Sequence, residues 1–449
     1  MYKAVVIGGG PGGYIAAIRL AQMGAKVALV EKSRLGGTCL HEGCIPTKSY
    51  IESAKRLDML KLFSDFGIKV EGVSLDFEKV IERKEWVVSI LEKGIEYLVR
   101  QNKIEIFHGK AKIMNSNLVE IQLSEMIVSL ETENIVVATG SKPLEINSFK
   151  TDGKRILNSS DILKMENLPK SMVVIGAGVI GCEIAALFNS FGVAIDMVDI
   201  ANHVLPTEDE DIVQEIERTF KRKKIKLHMG VSVEKIETHD NVVITLSNGK
   251  SLEAEKVVIA IGRTPYIQGL GIEEIGIRLL KGHIAVDERF QSSVKGIYAI
   301  GDVSSEIKLA HYAIYQGKAV ANVIMEKPFK MVKCVPGCVF ATPELATVGV
   351  REREMPDGYR VTKHSLKSSG KALVEGDNGG IIKMIFSEDN VLKGASMVGK
   401  NANLVIHELA LAIENELKAE DIIHTIHAHP TVSESVVECA EGLFGLSIH

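Results

Sequence analysis

Several kinds of residue are scarce in this 449-residue chain, and each scarcity removes a class of protein from consideration. Long apolar runs are missing, since the longest, residues 172–182, is rich in glycine and too short to span a membrane. Neither charge dominates, because 53 basic residues stand against 58 acidic ones, which argues against a nucleic-acid-binding surface. The cysteines are too few for a disulfide-based scaffold: Cys39, Cys44, Cys182, Cys334, Cys338 and Cys439.

What is present indicates an ordinary globular chain of several domains. The apolar fraction is 46%, and the length predicts about three domains. An apolar strand already begins at residue 3, which leaves no room for a signal or transit peptide. We therefore expect a soluble, cytoplasmic protein.

The stretch 36–48 contains two cysteines, Cys39 and Cys44, together with three glycines. Pro46 suits the first turn of a helix, and residues 47–63 carry apolar side chains near helical spacing. We expect Cys44 to lie just ahead of a helix N-terminus, where the dipole stabilises a thiolate. This setting favours a redox disulfide, and a pair of buried structural thiols is the alternative.

The first thirty residues have the order typical of a dinucleotide-binding unit. A strand over residues 3–7 is followed by a G-x-G-x-x-G loop, a helix and a second strand that ends at Glu31, 18 positions after the last glycine. The glycines permit a tight turn, backbone approach to a pyrophosphate, and close helix–strand packing, in the order Gly8, Gly10 and Gly13. We expect the helix N-terminus to face the phosphates, and Glu31 can bind a ribose hydroxyl.

The same pattern occurs again in the middle of the chain. A strand over residues 171–175 leads to a second glycine loop and helix, and the next strand ends at Asp199, again 18 positions after the last glycine. Asp199 would repel a 2′-phosphate, and residues 200–206 contain no Lys or Arg, so NAD is favoured over NADP. A solvated strand end is the alternative for Asp199. The loop glycines are Gly176, Gly178 and Gly181.

Two further strands, over residues 134–140 and 257–263, end in similar turns, which supports a duplicated architecture. We include three residues of these turns among the candidate cofactor contacts: Thr139, Gly140 and Gly262. Asp302 follows another strand, and an acid at that position points into the ligand crevice of a doubly wound sheet. A flavin polyol hydroxyl is a natural partner for it, and capping of the next helix is the alternative.

Residues 76–102 predict a long amphipathic helix, followed by short strands over residues 103–130. The apolar positions of the helix include Val80, Trp86, Ile90 and Leu98.

From about residue 334 the pattern changes to an antiparallel sheet, with a hairpin turn at 387–390 and helices over 402–415 and 419–426. Cys334 and Cys338 are interpreted as core thiols rather than metal ligands, because no second ligand pair accompanies them.

Near the C-terminus, His429 is followed five positions later by Glu434. A histidine oriented by a carboxylate is a general base or acid near neutral pH, and helix capping is the alternative.

Taken together and in order, these motifs resemble the pyridine nucleotide–disulfide oxidoreductases over essentially the whole chain. The residues that carry the resemblance are the two fingerprints, the Gly-Gly-Thr-Cys-x4-Cys-Ile-Pro-Thr-Lys stretch, the Ala-Thr-Gly turn, the Gly-Asp pair and the terminal His-Pro-Thr-x-Ser-Glu. The chain is most similar to the members that oxidise dihydrolipoyl groups with NAD⁺. The usual stretch of those members has Asn-Val where this chain has His41-Glu42, which adds a possible negative charge near the site.

The resemblance implies a role for each site residue. Cys39 exchanges with substrate sulfur, Cys44 contacts the flavin, and Lys48 pairs with Glu183 beside the flavin. It also implies that His429, oriented by Glu434, serves the disulfide of the other subunit in a homodimer. The implied cofactors are FAD and NAD, and the implied partner is a lipoyl-bearing protein of a 2-oxoacid dehydrogenase complex or a glycine-cleavage system.

The resulting fold prediction is an α/β chain with two Rossmann-like dinucleotide-binding domains and a C-terminal α+β dimerisation domain. The predicted boundaries are 1–145 and 267–333 for the FAD-binding parts, 146–266 for the NAD-binding domain and 334–449 for the interface domain. Two alternatives are an NAD(P)H-dependent reductase of another disulfide or a metal–thiol substrate, and a flavoprotein subunit with a mainly structural role. Asp199 argues against the first, and the complete set of two cysteines, histidine and glutamate argues against the second.

Overall fold

The computed structural model describes residues 1–146, 148–377 and 379–449, which form two compact units. The first unit contains residues 1–49, 79–144 and 262–331, and the second contains residues 50–78, 145–261 and 332–449. The breaks after residues 144, 261 and 331 lie close to the predicted boundaries at 145, 266 and 333, but residues 50–78 belong to the second unit. The division into three domains, of which the FAD-binding domain is in two segments, stays a prediction.

The helices are α1 (Pro11–Gln22), α2 (Gly37–His41), α3 (Cys44–Leu60), α4 (Phe77–Gln101), α5 (Val179–Ser190), α6 (Glu210–Arg222), α7 (Ala310–Ile324), α8 (Gly370–Val374), α9 (Ala402–Glu414), α10 (Ala419–Ile423) and α11 (Glu434–Glu441).

The strands are β1 (Ala4–Ile7), β2 (Val27–Glu31), β3 (Glu105–His108), β4 (Lys110–Asn115), β5 (Leu118–Gln122), β6 (Ile127–Glu131), β7 (Ile135–Val137), β8 (Ser141–Pro143), β9 (Ile156–Asn158), β10 (Ser171–Ile175), β11 (Ala194–Asp199), β12 (Lys226–Met229), β13 (Val233–Thr238), β14 (Val242–Leu246), β15 (Ser251–Ala254), β16 (Lys256–Ile259), β17 (Arg263–Pro265), β18 (Leu279–Leu280), β19 (His283–Ile284), β20 (Ile297–Ala299), β21 (Gly337–Val339), β22 (Leu345–Gly349), β23 (Arg360–Ser365), β24 (Gly380–Phe386) and β25 (Leu392–Gly399).

The first unit is built on a parallel sheet of order β20-β7-β1-β2-β3. Every residue of β1 is buried, because the sheet is covered on both faces. Val5 and Ile7 pack with the meander β4-β5-β6, whereas Ala4 and Val6 pack with α1 and α7. The strand order reverses at β1, which places a ligand crevice at the carboxyl end of that strand.

The second unit repeats this arrangement with a parallel sheet of order β12-β11-β10-β16-β9. The strand β10 has the predicted bounds and pairs in parallel with both β11 and β16. Its crevice therefore lies at the end of β10, where the second glycine loop begins. The two predicted Rossmann-like folds are confirmed.

The predicted C-terminal antiparallel sheet is also confirmed, with the order β21-β22-β25-β24-β23. Asn390 donates its backbone N–H to Ser387 O in the turn between β24 and β25, where the hairpin turn was predicted. The helices α9 and α11 pack on this sheet around a common apolar core.

The helix α4 covers most of the predicted range, but its buried stripe is narrower than the apolar pattern suggests. Val80 is buried, whereas Trp86, Ile90 and Leu98 are exposed in the single chain. Among the helices that the structure describes, none combines the length and apolar character needed to cross a bilayer. The cytoplasmic location stays a prediction.

Candidate active site

The two cysteines of the glycine-rich stretch lie at the start of successive helices in the first unit. Cys39 is in the short helix α2, and Cys44 is the first residue of α3, three residues earlier than the predicted start of that helix. Pro46 is in the first turn, as predicted. Gly36 has φ 101°, and a Cβ there would lie 2.3 Å from Leu40 Cδ2, so the turn into α2 requires glycine. Both cysteines are thiols in this structure.

The surroundings of Cys39 disfavour its thiolate form. The Cys39 thiol donates a hydrogen bond to Cys44, and this bond together with burial raises the pKa of Cys39 well above its ordinary value. The nearby Lys48 ammonium opposes that shift. Tyr14 also faces the pair, and burial raises its pKa.

The first glycine loop has the geometry that a pyrophosphate site needs. A Cβ on Gly8 would lie 2.4 Å from Ala138 O, and a Cβ on Gly13 would lie 1.8 Å from Gly8 O, so both positions must be glycine. A Cβ on Gly10 would meet no described atom within 4 Å, which means that this residue faces open space. The loop and the N-terminus of α1 thus leave room for a phosphate group.

Glu31 braces this loop from the end of β2. Its carboxylate accepts hydrogen bonds from Gly9 N at 2.6 Å and Ser33 N at 2.8 Å. A cavity of about 110 Å³ lies beside it, lined by residues that include Gly8, Glu31 and Thr139. The site therefore fits the adenosine end of a dinucleotide such as FAD.

The second glycine loop reproduces this geometry in the second unit. A Cβ on Gly176 would lie 2.5 Å from Ala260 O, and one on Gly181 would lie 1.8 Å from Gly176 O, whereas one on Gly178 would meet no described atom within 4 Å. Asp199 accepts hydrogen bonds from Ala177 N at 2.5 Å and Ala201 N at 2.8 Å. The loop fits a second dinucleotide.

The turn after β7 leads into β8, and the turn after β16 leads into β17. These two short strands pair antiparallel in the first unit. Thr139 Oγ1 donates to Tyr266 O at 2.6 Å, and Gly140 and Gly262 have φ values of 69° and 124°. Asp302 follows β20 in a single 3₁₀ turn, where its Oδ2 accepts a hydrogen bond from Ser141 Oγ at 2.6 Å. The next helix, α7, has Leu309 at its N-cap, so Asp302 does not cap that helix. The flavin contact of Asp302 stays a prediction.

Lys48 and Glu183, which the family resemblance joins, lie in the first and the second unit, respectively. Glu183 is buried on α5, and its Oε1 accepts a hydrogen bond from Phe340 N at 3.0 Å. The pairing of the two residues stays a prediction.

His429 and Glu434 have the geometry of an oriented base. His429 Nδ1 donates to Glu434 Oε1 at 2.8 Å, and Glu434 Oε2 accepts from Thr431 N at 2.7 Å. These two hydrogen bonds lower the pKa of Glu434, so it is an anion at neutral pH. The histidine side chain is 81% exposed, and its Nε2 is left as the proton acceptor.

The two other cysteines that could suggest a metal are half-buried. Cys334 and Cys338 pack against the core of the C-terminal sheet but are not fully buried in it, and their interpretation as core thiols stays a prediction. Three carboxylates lie close enough together to hold a metal ion, those of Asp209, Asp211 and Glu352. The Lys383 ammonium already pairs with all three.

The sequence did not point to two residues of the first site, Ser141 and Arg263. Arg263 Nε donates to Ser141 Oγ at 2.8 Å, and its Nη2 donates to Ser141 O at 2.7 Å. Each follows directly after a glycine that was predicted as a cofactor contact, Gly140 and Gly262. This position next to a predicted cofactor contact is the feature of the sequence that could have identified both residues.

The chain has two dinucleotide-binding loops of matching geometry and a dithiol at the start of a helix. This combination defines a class of oxidoreductase that exchanges electrons between a disulfide and a bound dinucleotide. The family model described as pyridine nucleotide-disulphide oxidoreductase matches residues 2–317, and the model of that family's dimerisation domain matches residues 335–440. The chain belongs to the pyridine nucleotide-disulphide oxidoreductase family.

Relatives match over nearly the full length. A dihydrolipoyl dehydrogenase of Geobacillus stearothermophilus is 39% identical, and the match covers 100% of this chain and 97% of the relative. A dihydrolipoyl dehydrogenase of Bacillus subtilis is 38% identical, and the match covers 100% of this chain and 99% of the relative. Among solved structures, LpdA of Mycobacterium tuberculosis superimposes with a TM-score of 0.93 at 25% identity, covering 98% of this chain and 99% of that one. The HOCl-induced flavoprotein disulfide reductase RclA of Escherichia coli gives 0.89 at 27% identity, covering 98% and 99%.

Proposed function

We propose that this chain is a dihydrolipoyl dehydrogenase, which oxidises dihydrolipoyl groups to lipoyl groups with NAD⁺ through a Cys39–Cys44 disulfide and FAD. The observation that carries the proposal is the hydrogen-bonded dithiol at the start of α3 in a chain that is 39% identical to a dihydrolipoyl dehydrogenase over its full length.

The cofactor assignment rests on the two loops. FAD fits the first, where Gly10 faces open space, a cavity lies beside Gly8 and Glu31, and Asp302 is held at a strand end. NAD fits the second, where Asp199 disfavours a 2′-phosphate. When bound, the flavin carries the electron pair between the dithiol and NAD⁺. Thr139, Gly140 and Gly262 remain candidate contacts in the adjoining turns.

The protein's own residues account for the thiol chemistry. His429 Nε2 takes a proton from one substrate thiol, and the resulting sulfur attacks Cys39 Sγ. The Cys39–Cys44 bond breaks, and its electron pair stays on Cys44. The second substrate thiol then loses its proton and closes the lipoyl disulfide, which releases Cys39 as a thiol. Two electrons have left the substrate and reduced the protein disulfide.

Three further residues support these steps. Glu434 fixes the His429 ring so that Nε2 points away from the carboxylate, toward substrate. We infer that Lys48 and Glu183 form an ion pair beside the flavin, as in the family.

The same family membership supports a homodimer and a lipoyl-bearing protein partner, from a 2-oxoacid dehydrogenase complex or a glycine-cleavage system. His429 lies within the residues that match the dimerisation domain and is exposed in the single chain. We propose that it serves the disulfide of the second subunit.

The direct test is to mix the purified protein with dihydrolipoamide and NAD⁺ and to follow NADH formation. We expect turnover with the parent chain and a loss of about 10²-fold or more in Cys39→Ser and His429→Gln. Cys334→Ser, which lies outside the site, is the matched control. Absence of turnover, together with NADH-driven reduction of a different disulfide, would instead support the alternative of an NAD(P)H-dependent reductase of another disulfide.

Thiol counting tests the redox disulfide without an activity assay. The air-oxidised protein, denatured without reductant, should titrate four thiols of its six cysteines, and reduction should add two. Peptide mass spectrometry should locate the bridge at Cys39–Cys44. Six free thiols in the oxidised, flavin-loaded protein would contradict the mechanism.

A further inference from the structure

A hydrogen-bonded relay in the first unit links an arginine to the predicted polyol-binding acid. Arg263 contacts Ser141 twice, through Nε to Oγ at 2.8 Å and through Nη2 to the carbonyl oxygen at 2.7 Å. The same Ser141 hydroxyl donates its single proton to Asp302 Oδ2 at 2.6 Å. The direction of the relay is thus fixed, because a hydroxyl that donates to a carboxylate can only accept from the guanidinium.

The relay is held by rigid neighbours. Arg263 begins β17 and Ser141 begins β8, and these two strands pair antiparallel. Ser141 is buried, and Arg263 is half-buried. Two bonds in a fixed fork orient the guanidinium, which a lysine could not reproduce.

Arg263 also interacts electrostatically with the acid at the far end of the relay. Burial lowers the pKa of Arg263, and the Asp302 carboxylate opposes that shift.

We propose that Arg263 is a positioning residue that orients Asp302 through Ser141. This inference deepens the proposed function and rests on its FAD site.

Three single variants and one double variant test the orientation. Ser141→Ala breaks the relay and should weaken FAD binding about tenfold. Arg263→Met should weaken FAD binding to a similar extent, and Arg263→Lys should also bind FAD more weakly, because an ammonium cannot make both bonds to Ser141. Ser141→Ala combined with Arg263→Met should weaken FAD binding no more than either change alone, because both changes break the same relay.

Flavin affinity is measured by fluorescence titration of the deflavinated protein. Arg278→Met, an exposed arginine of the same unit, is the matched control and should leave the FAD affinity unchanged.

Parent-like FAD affinity in Ser141→Ala, or fully additive losses in the double variant, would overturn the proposal. If Arg263→Met fails to fold, Arg263→Lys and Ser141→Ala still decide it. A parent protein that binds no FAD would instead refute the proposed function itself.

Discussion

At the scale of single residues, two acids have the same local role in both dinucleotide loops. Glu31 and Asp199 each accept one hydrogen bond from the glycine loop and a second from the backbone two residues further on. They therefore brace the loops as well as offering oxygen atoms to a ribose. The fingerprint predicts the ribose contact, whereas the bracing is visible only in the folded chain.

Asp199 should determine the choice between NAD⁺ and NADP⁺. The parent should prefer NAD⁺, and Asp199→Asn combined with Ile200→Arg should reduce the preference about tenfold, because repulsion of the 2′-phosphate is replaced by attraction. The measurement is the ratio of kcat/KM for the two cofactors, with Ile200→Arg alone as the control. Equal use of both cofactors by the parent would show that Asp199 does not read the ribose.

Some site residues are predictable because the chain itself brings them together. Cys39 and Cys44 are separated by five positions, and so are His429 and Glu434. Ser141 and Arg263 are separated by 122 positions and meet only because β8 pairs with β17. Periodicity and motif spacing contain no information about such a contact, so the relay had to come from the structure.

At the scale of elements, the parallel strands and the bounds of α4 and α9 were well predicted, whereas the start of α3 was not. A strand such as β10 is buried on both faces and forms an uninterrupted apolar run, which fixes its bounds. The helix α3 begins at Cys44 rather than after Pro46, because α2 and its glycines bring the chain directly into helical conformation. The exposure of Trp86 on α4 likewise depends on packing and is not encoded in the period.

Two glycines of the second loop should respond differently to the same substitution. Gly181→Ala places a Cβ 1.8 Å from Gly176 O and should cost about 2–3 kcal/mol of stability, whereas Gly178→Ala meets no described atom within 4 Å and should leave stability unchanged. Gly178→Ala should nevertheless weaken NADH binding about tenfold or more, because the methyl group occupies the approach to the pyrophosphate. Thermal unfolding and fluorescence titration measure the two effects. Equal melting temperatures for both variants would be inconsistent with this assignment.

A buried lysine connects three acids within the second unit. Lys383 is 1% exposed and pairs with Asp209 at 2.8 Å, Asp211 at 2.7 Å and Glu352 at 2.7 Å. Burial alone would lower its pKa, but the three carboxylates outweigh that effect and raise it. Burial would raise the pKa of Asp211, but the hydrogen bonds from Lys363 and Lys383 lower it.

Lys383→Met should therefore destabilise the protein by about 3 kcal/mol at neutral pH, because it leaves three acids without their shared cation. The Asp211 contribution is present above its ordinary value near 3.9 and is lost as the pH falls through the lowered pKa, so the deficit should narrow in acid. The Lys383 contribution is present below the ordinary lysine value and is lost as the pH rises through the raised pKa. The difference in melting temperature between the parent and Lys383→Met, recorded across pH, measures this loss of stability, and Lys250→Met at an exposed position is the control. A difference that grows in acid would contradict the prediction.

At the scale of the whole molecule, the proposed thiol chemistry needs residues from two separate units. The cysteines lie in the first unit, whereas His429 lies in the second, 81% exposed, near the similarly exposed Ile426. A general base must come within hydrogen-bond reach of the proton that it removes. The match to a dimerisation domain over residues 335–440 supports a twofold dimer in which each subunit completes the site of the other.

Subunit complementation tests this arrangement. Cys44→Ser chains and His429→Gln chains should each be inactive in dihydrolipoamide oxidation. In a mixed dimer with shared sites, one site receives both lesions and the other receives neither. Random reassociation after joint unfolding should then restore roughly a quarter of the parent activity, since half of the dimers are mixed and each has one intact site. Reassociating each variant alone is the control for refolding. If both residues instead served the site of their own subunit, every site in a mixed dimer would remain damaged, and confirmed mixed dimers without activity would refute the shared site.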